Sequence, residues 1–327
     1  MTPNDPQFFV DGVKDRNRRV LSKAITLIES ALPAHQQLAK EVLDRLLPDI
    51  GRSVRLGITG VPGVGKSTFI ESLGIMLVEK GHRVAVLAVD PSSTRSGGSV
   101  MADKTRMERL STEKNAFIRP SPSSGTLGGV ARKTRETMMV CEAAGFDVLL
   151  VETVGVGQSE TTVKSMVDFF LVLMLAGAGD EIQGIKKGVL ELADAVAINK
   201  ADEDNIEKAE EARQDYENAL RLLKPSSPSW TPPVLTCSAL TLSGVDNIWE
   251  TILRHRSLLT ETGELQENRQ KQAVDWMWAL VEEGLKQRFF HHPEVKERIE
   301  GLTRLVVQGD TAPNLAAAEL LAIIDNP

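Results

Sequence analysis

The residues with the clearest chemistry form one short, glycine-rich segment. It consists of Gly60, Val61, Pro62, Gly63, Val64, Gly65, Lys66 and Ser67, followed directly by Thr68. This is the spacing of a phosphate-binding loop, in which successive backbone N–H groups surround one anion. The lysine is expected to reach the β- and γ-phosphates, and the serine hydroxyl to ligate Mg²⁺. The segment therefore predicts a nucleotide site, with Lys66 also a candidate catalytic residue.

A second motif indicates which base the nucleotide carries. Asn199, Lys200 and Asp202 follow an apolar segment that has the pattern of a buried strand. An aspartate there can accept the N1–H and the 2-amino group of guanine, and adenine offers no such pair of donors. Ser238, Ala239 and Leu240 follow the last apolar segment, where GTPases place a loop that contacts the guanine oxygen. Together these residues predict GTP and GDP as ligands.

Three acidic residues compete for the role of magnesium ligand beside Ser67. Asp90 and Glu152 each end a short apolar segment, whereas Asp103 lies in a polar, glycine-containing stretch. Mg²⁺ uses only one or two protein carboxylates beside phosphates and water. All three therefore stay candidates, and not all need contact the ion.

The segment that begins at Glu152 suggests how hydrolysis is controlled. Glu152 and Gly155 have the spacing of a turn that senses the γ-phosphate, so that Glu152, Gly155 and Asp90 join Lys66 as candidate catalytic residues. Val156 stands where fast GTPases carry the glutamine that orients water, and no arginine has an evident finger position. Because such groups contribute orders of magnitude in rate, we expect slow hydrolysis without a partner.

The elements that must position these residues follow a βα alternation from residue 54 onwards. Short runs rich in β-branched residues, several apolar throughout, alternate with helical patterns. Continuous apolar runs are typical of strands buried on both faces. The pattern predicts an α/β domain with a doubly wound, mostly parallel sheet of the P-loop GTPase type. Ligands of such sheets bind at the carboxyl ends of the strands, where the motifs cluster.

Helical segments flank this domain on both sides. We predict a helical N-terminal arm over residues 1–50, a GTPase domain over 51–260 and a C-terminal helical region over 261–327. The arm has two apolar stripes, one in a single helical segment that Pro33 closes and one in a second helix that stops at Pro48. These stripes pack either on the next domain or on a partner protein. The C-terminal region packs either within the subunit or against a second subunit through one apolar helix face. This face consists of Val274, Met277, Trp278, Val281, Leu285 and Phe289.

Composition sets limits on the class of protein. The 327 residues are 42% hydrophobic and 25% charged, with a net charge of −7, which argues against general binding to nucleic acid or an acidic membrane. Cys141 and Cys237 are the only cysteines, and they lie too far apart for a zinc motif. No apolar run approaches the length of a membrane span. We expect a cytoplasmic protein.

Taken together, the motifs resemble those of the MeaB/ArgK (MMAA-like) family of SIMIBI-class P-loop GTPases. The resemblance rests on residues 60–68, 90–93, 152–160, 177–188 and 199–202. It implies a GTPase chaperone of adenosylcobalamin-dependent methylmalonyl-CoA mutase, which gates cofactor loading and protects or reactivates the mutase. It also implies a homodimer formed through the C-terminal helices, and a switch over residues 177–188 that relays the nucleotide state.

Two other functions stay open at this point. A metallochaperone GTPase would deliver a metal to another enzyme. Such proteins usually carry histidine- or cysteine-rich metal sites, whereas only His291 and His292 of the five histidines here are adjacent. A kinase or ATPase linked to amino-acid transport would be expected to use ATP. The segment Asn199 to Asp202 argues against this function because it favours guanine over adenine.

Overall fold

The computed structural model describes residues 5–89, 107–120, 127–153, 159–177, 187–223 and 227–325. The chain forms two compact units, one ending at Arg269 and the other beginning at Gln270. No helix among these residues has the length and apolar content needed to cross a membrane.

The first unit is built on a seven-stranded sheet. Its strands, in chain order, are β1 (Val54–Gly60), β2 (Val84–Val89), β3 (Ala116–Arg119), β4 (Val148–Thr153), β5 (Phe169–Leu175), β6 (Ala195–Asn199) and β7 (Val234–Thr236). They lie in the order β3-β2-β4-β1-β5-β6-β7, and every neighbouring pair is parallel. The predicted α/β fold is confirmed, with parallel pairing throughout the described strands. The edge strand β3 is an addition that the sequence pattern had not indicated.

Helices cover both faces of this sheet. They are α4 (Lys66–Glu79), α5 (Glu108–Thr112), α6 (Leu127–Ala143), α7 (Ser159–Lys164), α8 (Lys187–Glu191), α9 (Ile206–Arg221) and α10 (Val245–Glu261). Alternate residues of β2, β4, β5 and β6 enter two separate hydrophobic cores, whereas β1 contributes Leu56 and Ile58 to one of them. One core packs against α6, α7 and α9, and the other against α4 and α10. This double burial explains why the strands read as continuous apolar runs.

Three helices precede the sheet: α1 (Pro6–Lys14), α2 (Arg18–Glu29) and α3 (Pro33–Leu46). Their buried residues belong to the same core as α6, so their apolar stripes are covered by this chain's own sheet domain. The sequence pattern predicted one helical segment up to Pro33, but the structure breaks it. Arg16 has a φ of 61°, and the Asn17 side chain then caps α2 by accepting from two backbone N–H groups.

Helix α11 (Glu264–His291) begins in the first unit and continues into the second from Gln270 onwards. The second unit also contains α12 (Pro293–Gln308) and α13 (Pro313–Asp325). Val295, Leu302, Ala316 and Ile323 are its buried apolar residues. On α11, by contrast, large apolar side chains are about half exposed: Val274 52%, Met277 50%, Trp278 58%, Val281 43% and Leu285 58%.

A buried ion pair supports the amino end of β1, at the edge of the sheet opposite the phosphate loop. Arg55 Nε and Nη2 donate to the two carboxylate oxygens of Glu142 on α6, at 2.9 Å each. Ser53 Oγ and the Gly51 N–H donate to the same carboxylate. Burial opposes ionisation of Glu142, but the Arg55 guanidinium and the other donors outweigh it and hold its pKa below the usual value.

Replacing Arg55 with methionine is expected to lower the free energy of unfolding by about 3–5 kcal/mol at pH 7, because the Glu142 carboxylate stays buried without its cation. A depressed folded-state pKa contributes stability above the unfolded pKa of about 4.3 and loses it as the pH falls through the folded value. The loss of unfolding free energy caused by the substitution should therefore be smaller at acidic pH. Urea unfolding at pH 7 and near pH 4 measures this.

The matched control is Arg213→Met on α9, where the guanidinium pairs with Glu210 and Glu217 at the surface. Exposed pairs of this kind contribute little. Equal losses for the two variants, or a loss for Arg55→Met that does not change with pH, would contradict the assigned role of the buried pair.

Candidate functional site

The phosphate-binding segment connects the end of β1 to the start of α4. Two of its glycines are required, Gly60 by a close approach of the backbone and Gly65 by a left-handed conformation. A Cβ on Gly60 would lie 2.5 Å from the carbonyl oxygen of Leu173 on β5, and Gly65 has a φ of 91° at the N-cap of α4. A side chain would disfavour both conformations. The turn thus places the first backbone N–H groups of α4 over the carboxyl edge of the sheet, a position that suits an anion.

Lys66 is the first residue of α4 and turns back over the loop. Its Nζ donates to the carbonyl oxygen of Gly60 at 2.8 Å and to that of Val61 at 3.3 Å. Both acceptors are carbonyl oxygens of the phosphate loop itself. The ammonium group therefore lies where a phosphate on the loop would meet it.

Glu152 and Ser67 come together beside the loop, although they are far apart in sequence. Glu152 lies on β4, next to β1, and is 6% exposed; Ser67 Oγ donates to its Oε1 at 3.4 Å. Neighbouring ligands of an octahedral Mg²⁺ ion, each about 2.1 Å from it, are about 3 Å apart. Two hard oxygen donors at this separation fit Mg²⁺ with little movement.

Asn199, at the end of β6, joins the phosphate loop to the loop after β7. Its side chain is buried, and its Nδ2 donates to the Val64 carbonyl oxygen at 2.8 Å. Its Oδ1 accepts the Ala239 N–H at 3.1 Å. One amide therefore fixes the distance between the two segments that sequence reasoning assigned to phosphate and base.

Asp202 and Ser238 complete the candidate base site. Ser238 Oγ donates to Asp202 Oδ2, which aligns the carboxylate without using up its acceptor capacity. Lys200 is exposed with a φ of 62°. Ala239 is 4% exposed and the Leu240 side chain 78%, so the chain emerges into solvent between these two residues.

The thiol of Cys237 lies beneath this loop and 3.6 Å from Asn199 Oδ1. Burial raises the pKa of Cys237 to about 12. The thiol therefore stays neutral at physiological pH and serves as a packed, weakly polar group.

Some predicted residues lie outside the described part of the chain. They are Asp90, Asp103 and Gly155, together with Val156 and nearly all of the predicted switch over residues 177–188. Their predicted roles stay predictions.

The structure also adds residues that sequence reasoning missed. Thr153 Oγ1 donates to Thr59 Oγ1 at 2.7 Å, and both side chains are buried under the phosphate loop. The signal in the sequence for this pair was a threonine near the carboxyl end of each of the two strands. Ser72 Oγ donates to the Ala239 carbonyl oxygen at 2.6 Å from the second turn of α4. Ser72 had no local signal, since its partner is 167 residues away.

A parallel α/β sheet with a phosphate loop after β1 and an asparagine–aspartate motif after β6 defines the class of P-loop GTPases. The family model described as methylmalonyl Co-A mutase-associated GTPase MeaB matches residues 21–294. The chain belongs to the MeaB family of GTPases, which confirms the resemblance in the motifs.

Individual relatives extend the similarity over almost the whole chain. A probable GTPase of Mycobacterium tuberculosis (strain ATCC 25618 / H37Rv) is 55% identical over 318 residues, covering 96% of this chain and 95% of that protein. The mitochondrial methylmalonic aciduria type A homolog of Mus musculus is 46% identical over 329 residues, covering 96% and 79%. The crystal structure of an LAO/AO transport system kinase superimposes with a TM-score of 0.79 at 40% identity, covering 100% and 99%.

Proposed function

We propose that this GTPase is a regulatory chaperone of adenosylcobalamin-dependent methylmalonyl-CoA mutase. In this role it gates loading of the cofactor and protects or reactivates the mutase. The observation that carries the proposal is the match of residues 21–294 to a family described as mutase-associated. The name of the mouse relative, which refers to methylmalonic aciduria, supports the same partner enzyme.

Within this proposal, the chain's residues bind and orient GTP. The phosphate loop and Lys66 hold the phosphates, Asn199 and Asp202 hold the base, and Ser67 and Glu152 would hold Mg²⁺. Bound there, the ion supplies neutralisation of phosphate charge. Asp90, Asp103 and Gly155 keep the metal or catalytic roles proposed from sequence. Hydrolysis of GTP by the isolated chain is slow because Val156 cannot orient the attacking water, and a partner protein completes the site.

The proposed assembly is a homodimer formed through the C-terminal helices. Its support is the half-exposed apolar face of α11, which includes Val274, Trp278 and Leu285. Large apolar side chains repeated along one helix face are typical of a surface that another chain covers. The two cysteines are both free and buried, which suits the reducing cytoplasm proposed as the compartment.

The proposal is tested with purified adenosylcobalamin-dependent mutase from the same organism. We expect the full chain to form a complex with it on size-exclusion chromatography, in an amount that differs between GDP and a non-hydrolysable GTP analogue. We also expect the mutase to accelerate GTP hydrolysis at least tenfold, since a partner that completes such a site contributes orders of magnitude. Lys66→Ala is the control that removes the nucleotide dependence.

Two outcomes would contradict this function. One is the absence of a complex in both nucleotide states, and the other is fast hydrolysis by the isolated chain. The second candidate, a kinase linked to transport, is favoured only by the relative described as an LAO/AO transport system kinase. Transfer of the γ-phosphate to an amino acid or a protein, in place of release to water, would support it.

A further inference from the structure

Residues 237–244, here named the base loop, are held by hydrogen bonds to their backbone. The Ser238 N–H donates to the Ser243 carbonyl oxygen at 2.9 Å, inside the loop. The Ala239 N–H donates to Asn199 at the end of β6. A third bond comes from helix α4, where Ser72 Oγ donates to the Ala239 carbonyl oxygen at 2.6 Å.

Ser72 connects the base loop to the phosphate site. It lies on α4, the helix whose first turn carries Lys66 and Ser67. A helix is stiff over two turns, so a bond from Ser72 fixes the distance between the base loop and the phosphate site. A nucleotide spans both sites, and this distance must match its length.

The bond also determines where one peptide group points. The Ala239 carbonyl and the Leu240 N–H belong to the same peptide group, which is planar and trans. With the carbonyl directed at Ser72, the N–H of Leu240 points the opposite way, away from α4. That N–H donates to none of the residues that the structure describes. It is a fixed donor open to a ligand.

We propose that Ser72 sets base specificity by aiming the Leu240 N–H at the 6-oxo group of guanine. This inference rests on the guanine nucleotide assignment of the site and adds to it. Asp202 reads the N1–H and the 2-amino group, and the Leu240 N–H reads the acceptor at position 6. Adenine carries a 6-amino donor there, which would face the N–H of Leu240 and leave both donors unpaired.

The test compares GDP with 6-thioguanosine diphosphate in wild type and in Ser72→Ala. The thio analogue keeps the N1–H and the 2-amino group but replaces O6 with sulfur, which is a weak acceptor. Wild type should prefer GDP. The variant should bind GDP about tenfold more weakly, as expected for one lost hydrogen bond, with a much smaller loss for the thio analogue. Competition against a fluorescent GDP derivative measures both affinities.

Two further variants keep the result interpretable. Ser72→Thr retains the hydroxyl and should keep the wild-type preference, whereas Ser257→Ala on α10 removes a remote helical hydroxyl and should change neither affinity. Alanine is favoured in helices, so Ser72→Ala should fold. An unchanged GDP preference in Ser72→Ala, or equal losses for both nucleotides, would overturn the role of Ser72 alone. Wild type that binds ADP as tightly as GDP would overturn the guanine assignment itself.

Discussion

Replacing Lys66 with alanine is expected to weaken GTP binding at least 100-fold and to abolish measurable hydrolysis. In the proposed complex the ammonium group leaves the Gly60 and Val61 carbonyls for the β- and γ-phosphates. Each hydrogen bond between charged groups contributes about 1.5–3 kcal/mol. Hydrolysis should suffer more than binding, because phosphoryl transfer depends almost entirely on positioning and charge stabilisation.

Binding is measured by calorimetry with GDP and GTP, and hydrolysis by release of phosphate in a single turnover. The matched control is Lys80→Ala, which removes a lysine at the other end of α4, where it pairs with Asp246 at the surface. It should leave both quantities unchanged. Wild-type hydrolysis in Lys66→Ala would show that the loop does not bind the reacting phosphate.

Replacing Asp202 with asparagine is expected to exchange the base preference from guanine to xanthine. Asparagine can still accept the N1–H, but its amide N–H faces the 2-amino group of guanine, and two donors then oppose each other. Xanthine has a 2-oxo group, which accepts that N–H. Loss of the hydrogen bond from the 2-amino group to a carboxylate, with two donors left unpaired, should weaken GDP binding about 100-fold or more.

The measurement is the ratio of affinities for GDP and xanthosine diphosphate in wild type and variant. We expect the ratio to change by on the order of 1,000-fold or more, since buried groups left unpaired discriminate strongly. Ser238 Oγ can still donate to the asparagine oxygen, which should keep the base loop in place. Asp204→Asn, two residues further and exposed, is the control. An unchanged ratio in Asp202→Asn would exclude Asp202 as the residue that reads the base.

The central fold was predictable because its signals are local. The strands β2, β4, β5 and β6 are apolar runs whose alternate residues enter cores on opposite faces, and the helices between the strands have their own period. The strand β3 was missed, although β7, which has three residues and lies at the other edge of the sheet, was predicted. β3 follows a polar stretch and ends in a charged arginine, and so short an apolar run does not distinguish a strand from a loop.

The N-terminal helices show the limit of periodicity. The apolar spacing around Val13 and Val20 continues across the break between α1 and α2, so the pattern alone predicted one helix. The break depends on the left-handed conformation of Arg16 and on the cap from Asn17. A residue other than glycine adopts that conformation only when the surrounding structure favours it.

The sequence by itself determined the chemistry available to this protein: a loop spaced for phosphates, an aspartate suited to guanine, and carboxylates suited to magnesium. Spacing along the chain carries that information, since each motif is a short contiguous segment. Only the tertiary structure decided how the motifs meet. Asn199 ties the phosphate loop to the base loop, Ser67 meets Glu152, and Ser72 fixes the Ala239–Leu240 peptide. These contacts join residues 40 to 167 positions apart, and their geometry depends on strand order and helix packing.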